Sequence, residues 1–295
     1  MTYTIIGGGF GLYGYMPALI QNGEKVLLPS RYRELLKARK DISQYESEII
    51  WTPTMEEGLR KAQSVIIAVP PIMQAAAAVK IIKNHPQITD FFLEKPLAND
   101  PPTARALLDE LERNSKRIAA GFVFLYCRWA KITEEAARLS LPVKILWSFN
   151  AHHFTHRLFN WKRKHTQGGG ALRFYGIQLI ALLSSLGYSR VKNSSLEMDG
   201  DDVTCWVASF EGDGLADCSI DINTSSESKL FYISAGDTPL IQMLDPFEVN
   251  QNTTTETDRR VELLSKIIAV GTTPDYQLFR SINALWQSVE QRVSN

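Results

Sequence analysis

Gly7, Gly8, Gly9, Gly11 and Gly14 crowd into the stretch that follows the apolar run 2–6. Gly9, Gly11 and Gly14 satisfy the pattern G-x-G-x-x-G, and Gly7 is an alternative first position. Between a strand and a helix, this spacing has a specific chemistry. The first glycine permits a tight turn and the second lets backbone approach a pyrophosphate. The third allows helix and strand to pack closely, with the phosphate at the helix N-terminus. On this reading Gly7, Gly9, Phe10, Gly11 and Leu12 cradle a dinucleotide. The plain alternative is a glycine turn without a ligand, and the position inside a strand–helix–strand unit argues against it.

The next strand runs into Leu28-Pro29-Ser30-Arg31-Tyr32-Arg33. An Asp or Glu there would bond the ribose 2′-hydroxyl of NAD. A hydroxyl with one or two guanidinium groups suits a 2′-phosphate instead, through charge-assisted bidentate hydrogen bonds. The expected cofactor is NADP. NAD is the alternative if Arg31 and Arg33 are ordinary solvated residues at a helix start.

A second group of side chains lies in Ala151-His152-His153-Phe154-Thr155-His156-Arg157. Three histidines invite a zinc reading, but no clear helix presents them on one face. No carboxylate or cysteine completes the set either, so no metal is expected. Arg157, Lys162, Arg163, Lys164 and His165 make a basic stretch. It suits an anionic substrate such as a nucleotide sugar or a sugar acid; a solvated loop is an equal reading.

The glycine loop needs a parallel sheet behind it, and the first part of the chain supplies the pattern. Strands are expected at 2–6, 25–28, 48–51, 64–69, 91–93 and 116–124, with helices between them. Such alternation implies a parallel sheet with right-handed crossovers. After about residue 122 the pattern changes. Strands are expected at 143–149, 203–210, 214–222, 229–235 and 239–244, several of them alternating apolar and polar residues. A helix at 170–186 interrupts this series, 250–258 reads as a polar exposed loop, and helices at 260–270 and 274–293 end the chain. The fold class is therefore α/β. An N-terminal Rossmann domain with a parallel sheet spans 1–122, and a C-terminal α/β domain with an open, largely antiparallel sheet spans 123–295.

The bulk numbers agree with two domains, because 295 residues exceed one ordinary core. Lys plus Arg and Asp plus Glu both number 32, which argues against a general nucleic-acid or membrane-surface binder. Cys127, Cys205 and Cys218 show neither metal-ligand spacing nor a disulfide framework, which fits a reducing cytoplasm. No signal peptide is expected, and no membrane span, since no run of roughly 18 apolar residues stands out.

Further motifs carry a family resemblance. They are Ala68-Val69-Pro70 after a strand, Leu93-Glu94-Lys95-Pro96-Leu97 after the next, and Gly168-Gly169-Gly170-Ala171-Leu172 opening a helix. Gly176 within that helix, Leu186-Gly187 at its end and Gly236 complete the set. With the glycine loop, these make the chain resemble the Gfo/Idh/MocA oxidoreductase family over nearly its whole length. The resemblance implies a Rossmann domain joined to an α/β domain, acting on sugars, inositols and related small molecules. It implies that Val69, Pro70, Glu94 and Lys95 border the cofactor. It also places Lys95 near the nicotinamide, where an ammonium can donate to a carbonyl oxygen and stabilise the developing alkoxide. Tyr126, at the exit of the sixth strand, is the alternate proton donor, with packing an equal reading. Pairing through the open sheet into a homo-oligomer is also implied.

The departures from the family matter as much. After the glycine triplet, members often carry an Asp and, further on, a His and a second Asp; those positions hold Phe174, Gln178 and Ala181. Gln178 cannot exchange protons near neutral pH and is left to orient substrate, with Arg157 and Lys162. A second common histidine is Gln74. Tyr175 is read as a packing aromatic, since it points away from Gln178. The expected function is hydride transfer between NAD(P) and a sugar-like substrate, nucleotide sugars included. A non-catalytic dinucleotide- or metabolite-binding relative and an imine or tetrapyrrole-type reductase are the alternatives.

Overall fold

The computed structural model describes residues 1–139, 141–247 and 258–294, so 250–257 of the expected polar loop lie outside it. The chain divides into two compact units. The first takes the described residues of Met1–Leu97, Ala106–Val123 and Val249–Tyr276, and the second those of Ala98–Arg105, Phe124–Glu248 and Gln277–Asn295.

The first unit is built on six parallel strands: β1 (Thr2–Ile6), β2 (Lys25–Pro29), β3 (Ile49–Thr52), β4 (Ser64–Ile67), β5 (Asp90–Leu93) and β6 (Arg117–Ala120). Their order is β3-β2-β1-β4-β5-β6. β4 and β5 are buried along their whole length, as Val65, Ile66, Ile67, Phe91, Phe92 and Leu93 require. Burial on both faces explains why these strands read as unbroken apolar runs. The order reverses between β1 and β4, and in doubly wound sheets ligands bind outside the carboxyl ends of the strands at such a point. β6 is shorter than expected. It stops at Ala120, and the apolar residues beyond it enter a tight turn over Val123–Tyr126. A short apolar run does not by itself distinguish strand from buried turn.

The second unit carries a seven-stranded sheet, β12-β11-β7-β10-β9-β8-β13. The strands are β7 (Val143–Asn150), β8 (Tyr188–Asp199), β9 (Asp202–Gly212), β10 (Cys218–Asn223), β11 (Ser225–Ala235), β12 (Thr238–Met243) and β13 (Val293–Ser294). Most pairs are antiparallel; β7 with β10 and β8 with β13 run parallel. β10 shows the rule of one covered face: Cys218, Ile220 and Ile222 are buried while Ser219, Asp221 and Asn223 are half-exposed. β8 was not expected from sequence. It is polar and mostly exposed, and its ladder to β9 shifts register at three places. Pairing with a long neighbour, not side-chain pattern, makes it a strand.

The helical run His165–Leu186 holds an 18-residue window long and apolar enough, by length and composition alone, to cross a membrane. Two thirds of that window, 67%, is buried inside the structure. Ile177–Leu186 holds Ile177, Leu179, Ile180, Ala181, Leu182 and Leu183 in the core of this unit. Arg173, one turn earlier, is clamped by both carboxylate oxygens of Glu290 at 2.7 and 3.2 Å. Its Nη1 also donates to the carbonyls of Asn99 and His165. The three cysteines are free thiols.

Candidate functional site

Gly7 leaves β1 with a φ of 133°, a conformation that side chains resist. A Cβ there would lie 2.2 Å from the carbonyl oxygen of Ala68. Gly9 is the opposite case, since a Cβ would meet nothing within 4 Å. A Cβ on Gly11 would press Ile5 Cγ2 at 2.8 Å, so this glycine allows helix and strand to touch. Gly7 thus makes a tight turn, Gly9 faces open space and Gly11 packs closely. A Cβ on Gly14 would strike the Phe10 ring at 2.4 Å, so this glycine too is closely packed. A π turn over Gly11–Tyr15 precedes the α-helix Met16–Gln21. Leu12 sits buried in that turn, its N–H donating to Gly9 O at 2.9 Å.

Tyr32 links this loop to the end of β2, because its phenolic oxygen accepts from Gly7 N at 3.2 Å. On either side of it stand the two arginines. Arg31 lies exposed, its guanidinium 5.3 Å from the Tyr32 ring centroid. Arg33 stacks over Trp51 at 4.7 Å, and its Nε is buried with no hydrogen-bond partner among the described residues. The Ser30 hydroxyl donates to Thr52 O at 3.0 Å. An orphaned guanidinium donor, a second arginine and open space at Gly9 fit a phosphorylated dinucleotide on chemical grounds.

Val69 and Pro70 are half-buried just beyond β4, next to the Gly7 turn. Beyond β5, Glu94 and Lys95 are half-buried and lead into a cis Lys95–Pro96 peptide. This loop is held from two sides. Gln74, only 1% exposed, brings Nε2 to 2.5, 3.0 and 3.1 Å from the carbonyl oxygens of Glu94, Pro96 and Leu97. On the other side the Tyr15 phenol donates to Glu94 Oε2 at 2.9 Å. Burial raises the Glu94 pKa above the usual carboxylate value, opposed by the Lys95 charge, the Tyr15 hydrogen bond and Arg260. Burial works against the charge of Arg260, but Asp258 holds it with two hydrogen bonds of 2.7 and 2.9 Å. Its guanidinium lies 4.2 Å from the Phe10 ring centroid. Sequence reasoning registered Gln74 only as a missing histidine and passed over Tyr15 and Arg260.

The remaining candidates belong to the second unit. Tyr126 ends the turn that follows β6; it is half-buried, and burial pushes its phenol pKa up. Gln178 is 3% exposed, and its Oε1 accepts from Phe124 N in that same turn at 3.3 Å. Gln178 and the Tyr126 turn are therefore neighbours. Tyr175 packs edge-on against Trp147, Phe149 and Phe174, as a packing aromatic should. The Lys162 ammonium lies 5.8 Å from the Phe174 ring centroid, and Arg157 is exposed with a φ of 51°.

Much of the basic stretch is paired internally. Arg163 and Lys164 both bind Asp202, and His165 meets Glu290 at 3.4 Å. His153 is buried, and its pKa is pushed down to about 4 by burial first and then by the charges of Lys162 and Arg163. His152 and His156 face each other on the surface, with ring centroids 4.3 Å apart. Among the described residues no three His, Cys, Asp or Glu side chains gather to hold a metal.

Residues 1–122 match the model of an oxidoreductase family with the NAD-binding Rossmann fold, Gfo/Idh/MocA. The matched part is 122 of the chain's 295 residues. An uncharacterized oxidoreductase of Synechocystis is 25% identical over 179 residues, or 58% of this chain and 47% of that protein. The match thus spans about half the length of the curated relative. A 3-ketoreductase from Actinomadura kijaniata, solved with NADP and TDP-benzene, superposes with a TM-score of 0.70 at 13% identity, covering 99% of this chain and 98% of that one. The WlbA dehydrogenase from Bordetella pertussis, solved with NADH and UDP-GlcNAcA, gives 0.67 at 14% identity, covering 98% and 88%. At these identities the likeness is one of fold, and it extends through both units.

Proposed function

We propose that the chain is an NAD(P)-dependent oxidoreductase acting on a carbonyl or alcohol of a sugar-like substrate, with nucleotide sugars the first class to test. The observation that carries this reading is the pair of loops at the carboxyl ends of β1 and β5. The glycine turn leaves open space at Gly9, and the Lys95 loop is tied to the helix behind it by Tyr15 and Glu94. A bound nicotinamide would supply hydride chemistry. Lys95 donates the proton to the substrate oxygen and stabilises the charge that develops there. Tyr126 is the alternate donor. Val69, Pro70 and Glu94 border the cofactor, while Ser30, Arg31 and Arg33 favour NADP over NAD. Gln178 orients substrate, and Arg157 and Lys162 suit an anionic portion of it. The chain acts in the cytoplasm, as a homo-oligomer through the open face of the second sheet.

Solved proteins of the same fold with NADP and with UDP-GlcNAcA support this choice of ligands. One observation favours a second reading, a binding protein without catalysis. The positions of the family's acid/base residues hold Phe174, Gln178 and Ala181, and Gln178 is buried against backbone. The deciding experiment is a panel of nucleotide sugars and keto-sugars presented with NADPH or NADP, followed by nicotinamide absorbance. Turnover of one supports the enzyme. NADPH binding without turnover across the panel supports the second reading.

A further inference from the structure

Residues 7–11 read Gly-Gly-Gly-Phe-Gly, so Phe10 is the one side chain that can anchor this turn. Glycines leave a loop free to move, and its order must come from what holds it. The Phe10 ring is seated by its neighbours. Gly14 leaves it room, since a Cβ there would fall 2.4, 2.7 and 2.8 Å from three ring atoms. The rings of Tyr13 and Tyr15 meet it edge-on, with centroids 5.3 and 5.6 Å away. The Arg260 guanidinium lies over it, 4.2 Å from the centroid. Arg260 is itself fixed. Its Nε and Nη2 donate to the two carboxylate oxygens of Asp258 at 2.9 and 2.7 Å, and its backbone N–H donates to Asp258 Oδ1 at 2.9 Å. It opens the helix Arg260–Val270, which Asn22 pins to the end of the glycine-loop helix. Asn22 Nδ2 donates to Ser265 Oγ at 2.7 Å and to Ser265 O at 3.2 Å.

We infer that Arg260 is a positioning residue for the dinucleotide: stacked on Phe10, it holds the side-chain anchor of the glycine turn, and with it the backbone that faces the pyrophosphate. This rests on the reading of the glycine turn as the dinucleotide site. Gly9 and Phe10 are adjacent, so the seat of the ring limits the positions open to the exposed backbone at Gly9. A guanidinium over an aromatic face is attracted by the ring quadrupole, and more strongly where water is partly excluded. The fork with Asp258 fixes the place of the guanidinium and offsets its charge. Arg260 therefore acts on the turn by contact rather than as an unpaired cation beside a phosphate. A turn that is ordered beforehand costs less to order on binding, and the difference appears as affinity. The pyrophosphate is common to NADP and NAD, so the effect is the same for both. This separates Arg260 from Arg31 and Arg33, whose contribution depends on the 2′-phosphate.

The test is calorimetric titration of the full chain with NADPH and with NADH, well below its melting temperature. Phe10→Leu removes the ring and keeps apolar bulk, while Arg260→Met removes the guanidinium. Each should weaken both dinucleotides by roughly three- to tenfold and leave their ratio unchanged. Arg260→Met added to Phe10→Leu should cost less than about twofold more, since the ring it acts through is gone. If Arg260→Met does not fold, Asp258→Asn takes its place, loosening the fork while keeping the guanidinium. Parent affinity in a folded Phe10→Leu chain overturns the inference. So does an Arg260→Met loss that persists in full without the ring, because bare charge attraction to the phosphates would then account for it. A merely structural role for Arg260 would lower the melting temperature and leave both dissociation constants in place, and that result overturns it too. A parent chain that binds neither dinucleotide overturns the proposed function itself, and is read before any variant is made.

Discussion

The side-chain oxygen of Gln178 accepts the backbone N–H of Phe124 at 3.3 Å, deep inside the second unit. This buried amide braces the turn leading to Tyr126. Gln178→Ala should therefore act on stability, costing about 1–3 kcal/mol for an abandoned buried donor. Lys95→Met should leave stability nearly unchanged and cut the hydride-transfer step by roughly 10²–10⁴. Chemical denaturation and single-turnover kinetics on both variants separate the two effects. Equal chemical losses would remove the distinction drawn between these residues.

Gly9 and Gly11 should fail differently. Valine at Gly9 enters open space, so Gly9→Val should keep the fold and lose dinucleotide affinity. Valine at Gly11 meets Ile5 at the helix–strand contact, so Gly11→Val should lower the melting temperature first. Calorimetric titration with NADPH beside thermal melting checks the pair. Undiminished NADPH affinity in a folded Gly9→Val chain would place the pyrophosphate elsewhere.

Arg33 is held by Trp51 with an unused buried Nε, and Arg31 lies on the other side of Tyr32. Replacing either by Ala should weaken NADPH by roughly 1–3 kcal/mol and NADH much less, as a lost hydrogen bond to a charged phosphate would. Equal weakening of both cofactors would assign the arginines a structural task instead.

His153 should make the fold sensitive to mild acid. Its folded pKa of about 4 lies below the ordinary 6.5, so between these values the unfolded chain takes up a proton that the fold excludes. The stability it contributes is complete above pH 6.5 and is lost as the pH falls toward 4. Glu290 behaves similarly in a lower window. Burial raises its pKa, but His165 and Arg173 hold it at about 2, so its contribution is lost as pH falls from 4.5 toward 2. Denaturant midpoints measured from pH 7 to 4.5 should fall, and His153→Phe should flatten the fall. A parent chain with constant stability over that range would refute the assignment.

The parallel sheet was legible because β1, β4 and β5 are short buried runs punctuated by helices, a pattern that apolar composition alone reveals. The glycine turn after β1 was legible too, though the π turn that follows it leaves no mark in residue types. β8 was invisible because an exposed strand rich in Ser, Arg, Lys and Asn owes its form to pairing with β9. The site's polar partners were hidden for a different reason. Tyr15 lies 79 residues from Glu94, Gln74 is 22 from Pro96, and Arg173 is 117 from Glu290, so only the folded chain joins them. The basic stretch misled in part, because Asp202, which holds Arg163 and Lys164, comes from another strand.

The most direct test of the account is an equilibrium titration of the unmodified chain with NADPH and with NADH, read by calorimetry, with Gly9→Val as the control. Saturable binding of one dinucleotide per chain is expected, NADPH at least about tenfold tighter than NADH, a difference of roughly 1.4 kcal/mol, and loss of both in the control. A folded parent chain that binds neither dinucleotide would contradict it.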